Sequence, residues 1–146
     1  MDAFELSIVI KRPIEEVFAV VANLENDVKW HNLVESKNTS GGSLGVGATF
    51  LYAGELRGRR METVYEVTEY EPTRIAAWKT VSGPLPLKFW RTFERVEGGT
   101  RFTLRYEGEE VRGFLKLAWP LITGFARRQH EGAMRKLKEL MEARAL

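Results

Sequence analysis

The chain has 146 residues, a length typical of one domain that buries a core without metals or disulfides. Hydrophobic residues make up 44% and charged residues 29%, which is a globular and not a disordered composition. There is no cysteine, so disulfides, thiolate nucleophiles and thiolate metal ligands are excluded. The net charge of +2 is uneven, because residues 112–146 carry 8 Lys and Arg against 3 Asp and Glu. We expect a solvated basic helix face there.

The first residues and the apolar runs predict where the protein is found. Residues 1–4 lack the basic start and the apolar stretch of a signal peptide. The longest apolar run, 114–126, contains Lys116 and Pro120 and is shorter than the roughly 20 residues of a membrane-spanning helix. We therefore expect a single cytoplasmic domain over residues 1–146.

The first part of the chain predicts one strand and two short helices. Residues 4–10 place apolar side chains on one parity, as in a strand with one buried face. Pro13 suits the first turn of a helix. Apolar residues then recur at spacings of three and four, giving this helix one buried stripe: Ile14, Val17, Phe18, Val21 and Leu24. A second short helical turn is predicted over residues 27–33.

The middle of the chain predicts antiparallel strands, and the last part predicts one long helix. Five segments are rich in β-branched and aromatic residues: 48–53, 61–70, 75–82, 87–96 and 101–109. Gly98 and Gly99 favour a hairpin over residues 93–104. Residues 112–144 carry an apolar stripe at helical spacing, with a kink or interruption expected at Pro120.

These elements predict an α+β fold. A curved antiparallel β-sheet of about six or seven strands is wrapped around a long C-terminal helix, with two short helices after the first strand.

This order of elements resembles the SRPBCC superfamily, the START-like or helix-grip proteins, and within it the polyketide cyclase/dehydrase branch. The resemblance covers nearly the whole chain and rests on five segments: PIEEVF (13–18), NLENDVKW (23–30), SGPLPLKFW (82–90), FERVEGGTRFTL (93–104) and RKLKELME (135–142). It implies a hydrophobic cavity between the concave sheet face and the C-terminal helix. Some members cyclise or dehydrate polyketides and others bind or carry lipids, sterols, quinones or hormones, so the fold alone does not choose an activity.

Strand alternation and the resemblance together predict which side chains line such a cavity. The candidates are Trp30, Tyr52, Met61, Tyr65, Trp78, Phe89, Arg91, Tyr106, Leu121 and Phe125. Aromatic residues at strand spacing are also ordinary core residues, and that alternative stays open. Arg91 lies between Phe89 and Phe93 on one parity, so an inward Arg91 needs a carboxylate or an anionic ligand as its partner. The alternative places Trp90 inside and Arg91 outside.

His31, Arg91 and Tyr65 are the weak candidates for catalysis. An imidazole with a pKa of about 6.5 suits proton transfer near neutrality. We nevertheless expect His31 to be more exposed than Trp30, and no Ser-His-Asp order or paired carboxylates accompany it. His130 lies in RRQHE and is expected on the basic helix face.

The sequence thus predicts binding or transport of a hydrophobic small molecule such as a lipid, a polyketide or a quinone-like compound. A cyclase or dehydratase that uses His31, Arg91 or Tyr65 to polarise a carbonyl or move a proton is one alternative. A regulator that binds another protein is the second alternative.

Other ligands and partners find little support in the sequence. Two distant histidines without HExxH or clustered carboxylates predict no metal site, and the glycine-rich segment 41–47 lacks the Lys-Ser/Thr of a phosphate loop, so we predict no cofactor. Nucleic acid is not expected as a partner, because the basic residues lack interleaved aromatics. The amphipathic segment 125–138 is expected to pack on the sheet, with membrane contact as the less favoured alternative. Nothing in the sequence indicates the oligomeric state.

Overall fold

The computed structural model describes residues 1–146 as one antiparallel sheet with three helical segments. The strands are β1 (Asp2–Ile10), β2 (Glu35–Asn38), β3 (Thr49–Leu56), β4 (Arg59–Glu71), β5 (Ile75–Ser82), β6 (Leu87–Val96) and β7 (Gly99–Gly108). The helices are α1 (Ile14–Val21), a 3₁₀ helix (Leu24–Lys29) and α2 (Phe114–Glu142). The strand order is β1-β7-β6-β5-β4-β3-β2, with every neighbouring pair antiparallel. The predicted α+β helix-grip fold is confirmed.

The core lies between the concave face of the sheet and the helices. In β7, buried residues alternate with more exposed ones, as the period of two requires. Ile10 of β1, Val17 of α1, Phe102 of β7 and Leu137 of α2 are all completely buried, so strands and helices share one core. The predicted hairpin is also present, with Val96 opposite Gly99.

The two short helices follow β1, as predicted. The apolar stripe of α1 is buried, and Phe18 packs edge-on against Tyr70 and Phe93 at centroid distances of 5.5 and 5.1 Å. The second helix begins earlier than the predicted residues 27–33. Its start is set by Asn23, whose side chain accepts a hydrogen bond of 3.1 Å from the backbone N–H of Glu25.

Strand β2 is absent from the sequence-based prediction. Residues 35–38 (ESKN) have neither β-branched nor aromatic side chains. They form a sheet edge that pairs only with β3, and Glu35 makes an ion pair of 2.5 Å with Arg60 of β4. A short, polar edge strand is a common way to keep an exposed sheet edge from pairing with other chains.

Helix α2 covers the other edge of the sheet. The ammonium group of Lys138 donates to the Val9 carbonyl at 2.6 Å, and the Glu142 carboxylate accepts from the Lys11 amide at 2.8 Å. Near its start, the Trp119 indole donates to the Asp2 carbonyl at 3.1 Å. The helix is continuous through Pro120, so the predicted interruption does not occur. The proline is in the second turn and removes only one backbone hydrogen-bond donor from a long helix.

The outward face of the first half of α2 is apolar and uncovered. Phe114, Leu117, Leu121 and Phe125 recur at spacings of three and four and are 60–83% exposed. The second half of the helix buries Met134, Leu137 and Met141 instead. No helix here has both the length and the apolar character that crossing a bilayer would require.

The close approach of β1 to β7 requires glycine at position 99. A Cβ added at Gly99 would overlap the Ile10 carbonyl and lie 2.9 Å from Cα of Lys11, both backbone atoms that cannot rotate away. We expect Gly99→Ala to lower the free energy of unfolding by about 1–3 kcal/mol, measured by urea denaturation. The matched control is Gly124→Ala in α2, where a Cβ meets nothing within 4 Å. That variant should be about 0.5–1 kcal/mol more stable than the wild type. Equal stability of Gly99→Ala and the wild type would contradict the predicted clash.

Candidate functional site

A buried ion pair joins the 3₁₀ helix to β6. Arg91 Nη1 donates to Asp27 Oδ1 at 2.9 Å and Nη2 donates to Oδ2 at 2.6 Å, and neither side chain has exposed surface. Nη1 also donates to the Val21 carbonyl at 2.9 Å. The partner that an inward Arg91 requires is therefore a carboxylate of the protein itself. Trp90 faces the other way and donates to Glu69 at 3.2 Å, so the alternative with Trp90 inside is wrong.

Aromatic rings and a tyrosine hydroxyl complete the surroundings of the pair. The Arg91 guanidinium lies 5.0 Å from the ring centroid of Trp30 and 5.4 Å from that of Trp78. Burial alone would lower the pKa of Arg91, but the adjacent Asp27 raises it above its ordinary value, so the guanidinium stays charged. The Tyr52 hydroxyl donates to Asp27 Oδ2 at 2.8 Å. Burial and the Asp27 charge raise the pKa of Tyr52 well above its ordinary value, which keeps this donor protonated.

A cavity of about 570 Å³ lies between the concave sheet face and α2. Of its 21 lining residues, 13 are hydrophobic, and both Trp119 and Ala126 of α2 are among them. Its volume falls within the range of about 300–1,000 Å³ that small-molecule pockets occupy. The sheet and the helix therefore enclose enough space for an organic ligand.

Some of the predicted wall residues line this cavity, and others support it from behind. Trp30, Tyr52, Tyr65 and Tyr106 are in the wall. Phe89 lies behind two of them, with its ring centroid 5.0 Å from that of Tyr65 and 4.9 Å from that of Tyr106. Trp78 stacks on Phe89 at 5.0 Å, and like Arg91 both are buried away from the cavity. These three side chains hold the wall in place and do not form it.

Three predicted wall residues lie outside the cavity. Met61, Leu121 and Phe125 are 40%, 80% and 60% exposed. Met61 lies near the turn between β3 and β4, where the first four residues of β4 are all exposed. Leu121 and Phe125 are on the outward face of α2, since their neighbours Ile122 and Ala126 face the cavity. The predicted position of these three side chains in the wall is wrong. A direct role of any lining residue in ligand binding stays a prediction.

Two histidines from distant parts of the chain meet at the cavity. The His31 amide donates to the Asp27 carbonyl at 2.7 Å, and this turn places the imidazole beside Trp30, with ring centroids 4.1 Å apart. The His130 ring lies 5.0 Å from that of His31 and 4.8 Å from that of Tyr106. Both histidines line the cavity. His31 is partly buried whereas Trp30 is fully buried, so the expectation that His31 is the more exposed of the two is confirmed, although its ring still faces the cavity. The expected position of His130 on the outer basic face is wrong.

Burial keeps both imidazoles neutral. It lowers the pKa of His31 well below 6.5, with a further contribution from the Arg91 charge. It lowers the pKa of His130 in the same way, with contributions from His31 and Arg91. A neutral imidazole has one N–H donor and one acceptor nitrogen. His31 Nε2 is 3.9 Å from Asp27 Oδ2, too far for a hydrogen bond, and His130 Nδ1 also has no partner.

Sequence reasoning did not place Trp119, His130 or Asp27 at the site, and only the first two could have been found from the pattern of the sequence. Trp119 and His130 belong to a series of residues that recur at spacings of three and four along α2. The other members of the series are Ile122, Ala126, Ala133 and Leu137. That periodicity could have placed His130 inside. Asp27 has no local signal, and only the need of Arg91 for a carboxylate points to it. The chain brings no three metal-ligating side chains together.

The sequence matches the family described as polyketide cyclase / dehydrase and lipid transport over residues 1–142. The chain belongs to this family. The predicted relationship to the polyketide cyclase/dehydrase branch of the SRPBCC superfamily is therefore confirmed. None of the curated proteins is significantly similar in sequence.

Several solved structures share the fold of this family member. TTHA0849 from Thermus thermophilus is 16% identical, with a TM-score of 0.78 over 97% of this chain and 98% of that chain. NE0264 from Nitrosomonas europaea is 14% identical, with a TM-score of 0.76 over 97% and 94%. The di-domain ARO/CYC StfQ from the steffimycin biosynthetic pathway is 12% identical, with a TM-score of 0.78 over 97% of this chain and 51% of StfQ. The chain thus spans about half the length of StfQ, and these likenesses concern the fold alone.

Removing Arg91 should destabilise the protein strongly. Arg91→Met leaves Asp27 as an uncompensated buried charge, and we expect it to lower the free energy of unfolding by about 3–5 kcal/mol in urea denaturation. The double variant Asp27→Asn/Arg91→Met buries no charge and should be more stable than Arg91→Met alone. The control is Arg95→Met on the same strand, since the 2.7 Å ion pair of Arg95 with Glu15 is exposed and worth at most about 1 kcal/mol. A small effect of Arg91→Met, similar to that of the control, would contradict this role of the ion pair.

The stability of the protein should fall as the pH drops below about 6.5. Both histidines have a lower pKa in the folded than in the unfolded chain, so below 6.5 the unfolded state binds protons more readily. Each histidine should reduce the free energy of unfolding by up to about 1.4 kcal/mol per pH unit, and neither should contribute a slope well above that pH.

Urea denaturation between about pH 5 and about pH 7.5 measures this slope, since histidine titrates in this range. The variant His31→Phe/His130→Phe should show a flatter profile than the wild type, because neither ring then titrates. Identical slopes would show that the two imidazoles do not contribute to the pH dependence.

Proposed function

We propose that this protein binds a hydrophobic small molecule in the cavity between the sheet and α2, and holds or carries it. The observation that supports this most is a cleft of about 570 Å³ with a mainly hydrophobic lining between the sheet and the helix. Clefts of this size with a mainly apolar lining and a few polar groups are where proteins bind small molecules. Burial of the ligand would gain about 25 cal/mol per Å² of apolar surface removed from water.

Polar groups in the wall would orient this ligand. Burial raises the pKa of Tyr65 to about 12 and that of Tyr106 above its ordinary value, so both hydroxyls stay protonated and can donate hydrogen bonds. The neutral His31 and His130 each add a donor and an acceptor. This set suits a ligand with a carbonyl or hydroxyl oxygen on an apolar body, which lipids, polyketides and quinones all have. A cytoplasmic site of action remains our expectation.

Filling the cavity should abolish binding. Ala126 faces the cavity from α2, and Ala126→Trp would place an indole in the space that the ligand occupies. The matched control is Leu121→Trp, earlier on the same helix, where the side chain is 80% exposed. After incubation with a bacterial lipid extract, native mass spectrometry should show the same defined adduct on the wild type and on Leu121→Trp, and none on Ala126→Trp. Clean unliganded masses for all three proteins, or an adduct on all three, would contradict the proposal.

A cyclase or dehydratase activity is the second candidate. It is favoured by the His31–His130 pair, whose ring centroids are 5.0 Å apart at the cavity and whose neutral imidazoles can accept a proton. A tyrosine hydroxyl such as that of Tyr65 could then polarise a carbonyl oxygen. The two functions are separated by following the ligand in the lipid extract before and after incubation with a small amount of the wild type. Recovery of the unchanged molecule supports binding, and recovery of a dehydrated or cyclised molecule supports catalysis.

A further inference from the structure

The charged residues that line the cavity are all cations. None of its 21 lining residues is Asp or Glu, whereas Arg128 and Lys136 are both among them. The nearby carboxylate of Asp27 is not in the lining, and Arg91 and the Tyr52 hydroxyl already engage it. The rim of the cavity therefore carries two cations, and no carboxylate is in its lining.

Arg128 and Lys136 are cations of α2 that both line the cavity and lack a carboxylate partner, whereas Arg135, also unpaired, is outside the lining. Arg127 pairs with Glu131 at 3.2 Å, and Lys138 pairs with Glu142 at 2.8 Å. Neither Arg128 nor Lys136 has a carboxylate within ion-pair distance, and both side chains are exposed, which places them where the cavity opens to solvent.

The spacing of these two cations leaves room for a ligand group between them. They are eight residues apart on one helix face, which corresponds to about 12 Å along the axis. Gly132 lies halfway between them, lines the cavity and contributes no side chain, and the nearest side-chain group is the Arg135 guanidinium, 3.9 Å from where a Cβ of residue 132 would lie. An anionic group that enters between them can approach both cations while the rest of the molecule reaches the aromatic interior.

We propose that the ligand is an apolar carboxylic acid whose hydrocarbon body fills the cavity and whose carboxylate lies at the rim between Arg128 and Lys136. This inference rests on the proposed binding function and adds the chemical class of the ligand. The apolar wall supplies most of the affinity, and the two cations select an acid over a neutral molecule of the same shape. Because the rim is exposed to solvent, this selection weakens as salt is added.

Two matched pairs of probes test the selection: decanoic acid with 1-decanol, and 1-pyrenebutyric acid with 1-pyrenebutanol. Binding of the first pair is measured by tryptophan fluorescence, since Trp30 and Trp119 line the cavity. Binding of the second pair is measured by pyrene emission. At neutral pH and low salt, we expect at least one acid to bind about fivefold more tightly than its alcohol. The double variant Arg128→Gln/Lys136→Gln should bind acid and alcohol equally. Lys116→Gln, an exposed and unpaired position near the start of the same helix and outside the lining, should keep the wild-type preference.

The outcomes separate this inference from the proposed function. Equal affinity of the wild type for the acids and the alcohols would overturn the carboxylate assignment and leave hydrophobic binding standing. A preference that survives in the double variant would also overturn it. Failure of all four probes to bind would count against both proposals. Thermal unfolding of each variant verifies that a lost preference does not reflect a lost fold.

Discussion

The bidentate contact between Asp27 and Arg91 is the interaction on which the site depends. It fixes the 3₁₀ helix against the centre of the sheet, and Trp30 and His31 follow that helix directly. Removing two charges from water is costly, and the cost is offset here by the Val21 carbonyl and by aromatic rings facing the guanidinium. A buried ion pair adds little net stability compared with apolar residues of similar volume. We infer that its main effect is to place the cavity-lining residues.

The cavity is built in layers that start from this pair. Trp78 and Phe89 pack behind Tyr65 and Tyr106, so the sheet side of the wall is supported by a second row of rings. The α2 side is supported unevenly. The second half of the helix is held by buried side chains, whereas the first half is held chiefly by Trp119 and presents apolar residues to solvent. The sheet side of the wall is therefore backed by more buried side chains than the α2 side.

The sequence was sufficient for the fold and for part of the site. Alternation in the strands and the stripes of α1 and α2 identified the layers, because burial imposes those periods. Strand alternation placed Tyr52, Tyr65 and Tyr106 correctly in the cavity wall but misplaced Met61. Alternation predicts which face of a strand a residue is on, but not where along its length the strand leaves the core. It could not pair Arg91 with Asp27, because that contact joins residues 64 positions apart. His130 was misplaced because its basic neighbours suggested an outer face.

The pairing of β1 with β7 has a consequence for how the chain reaches this structure during synthesis. Ile10 is opposite Thr100, so β1 has no strand partner until about 90 further residues have been made. At about 5–20 residues per second, this takes several seconds on the ribosome. During that time Leu6, Ile8 and Ile10 have no sheet to join. Topologies dominated by such distant contacts also fold slowly. The nascent chain therefore presents an unpaired, apolar strand for longer than a protein built from adjacent hairpins would, and this interval is when a chaperone would be most useful to it.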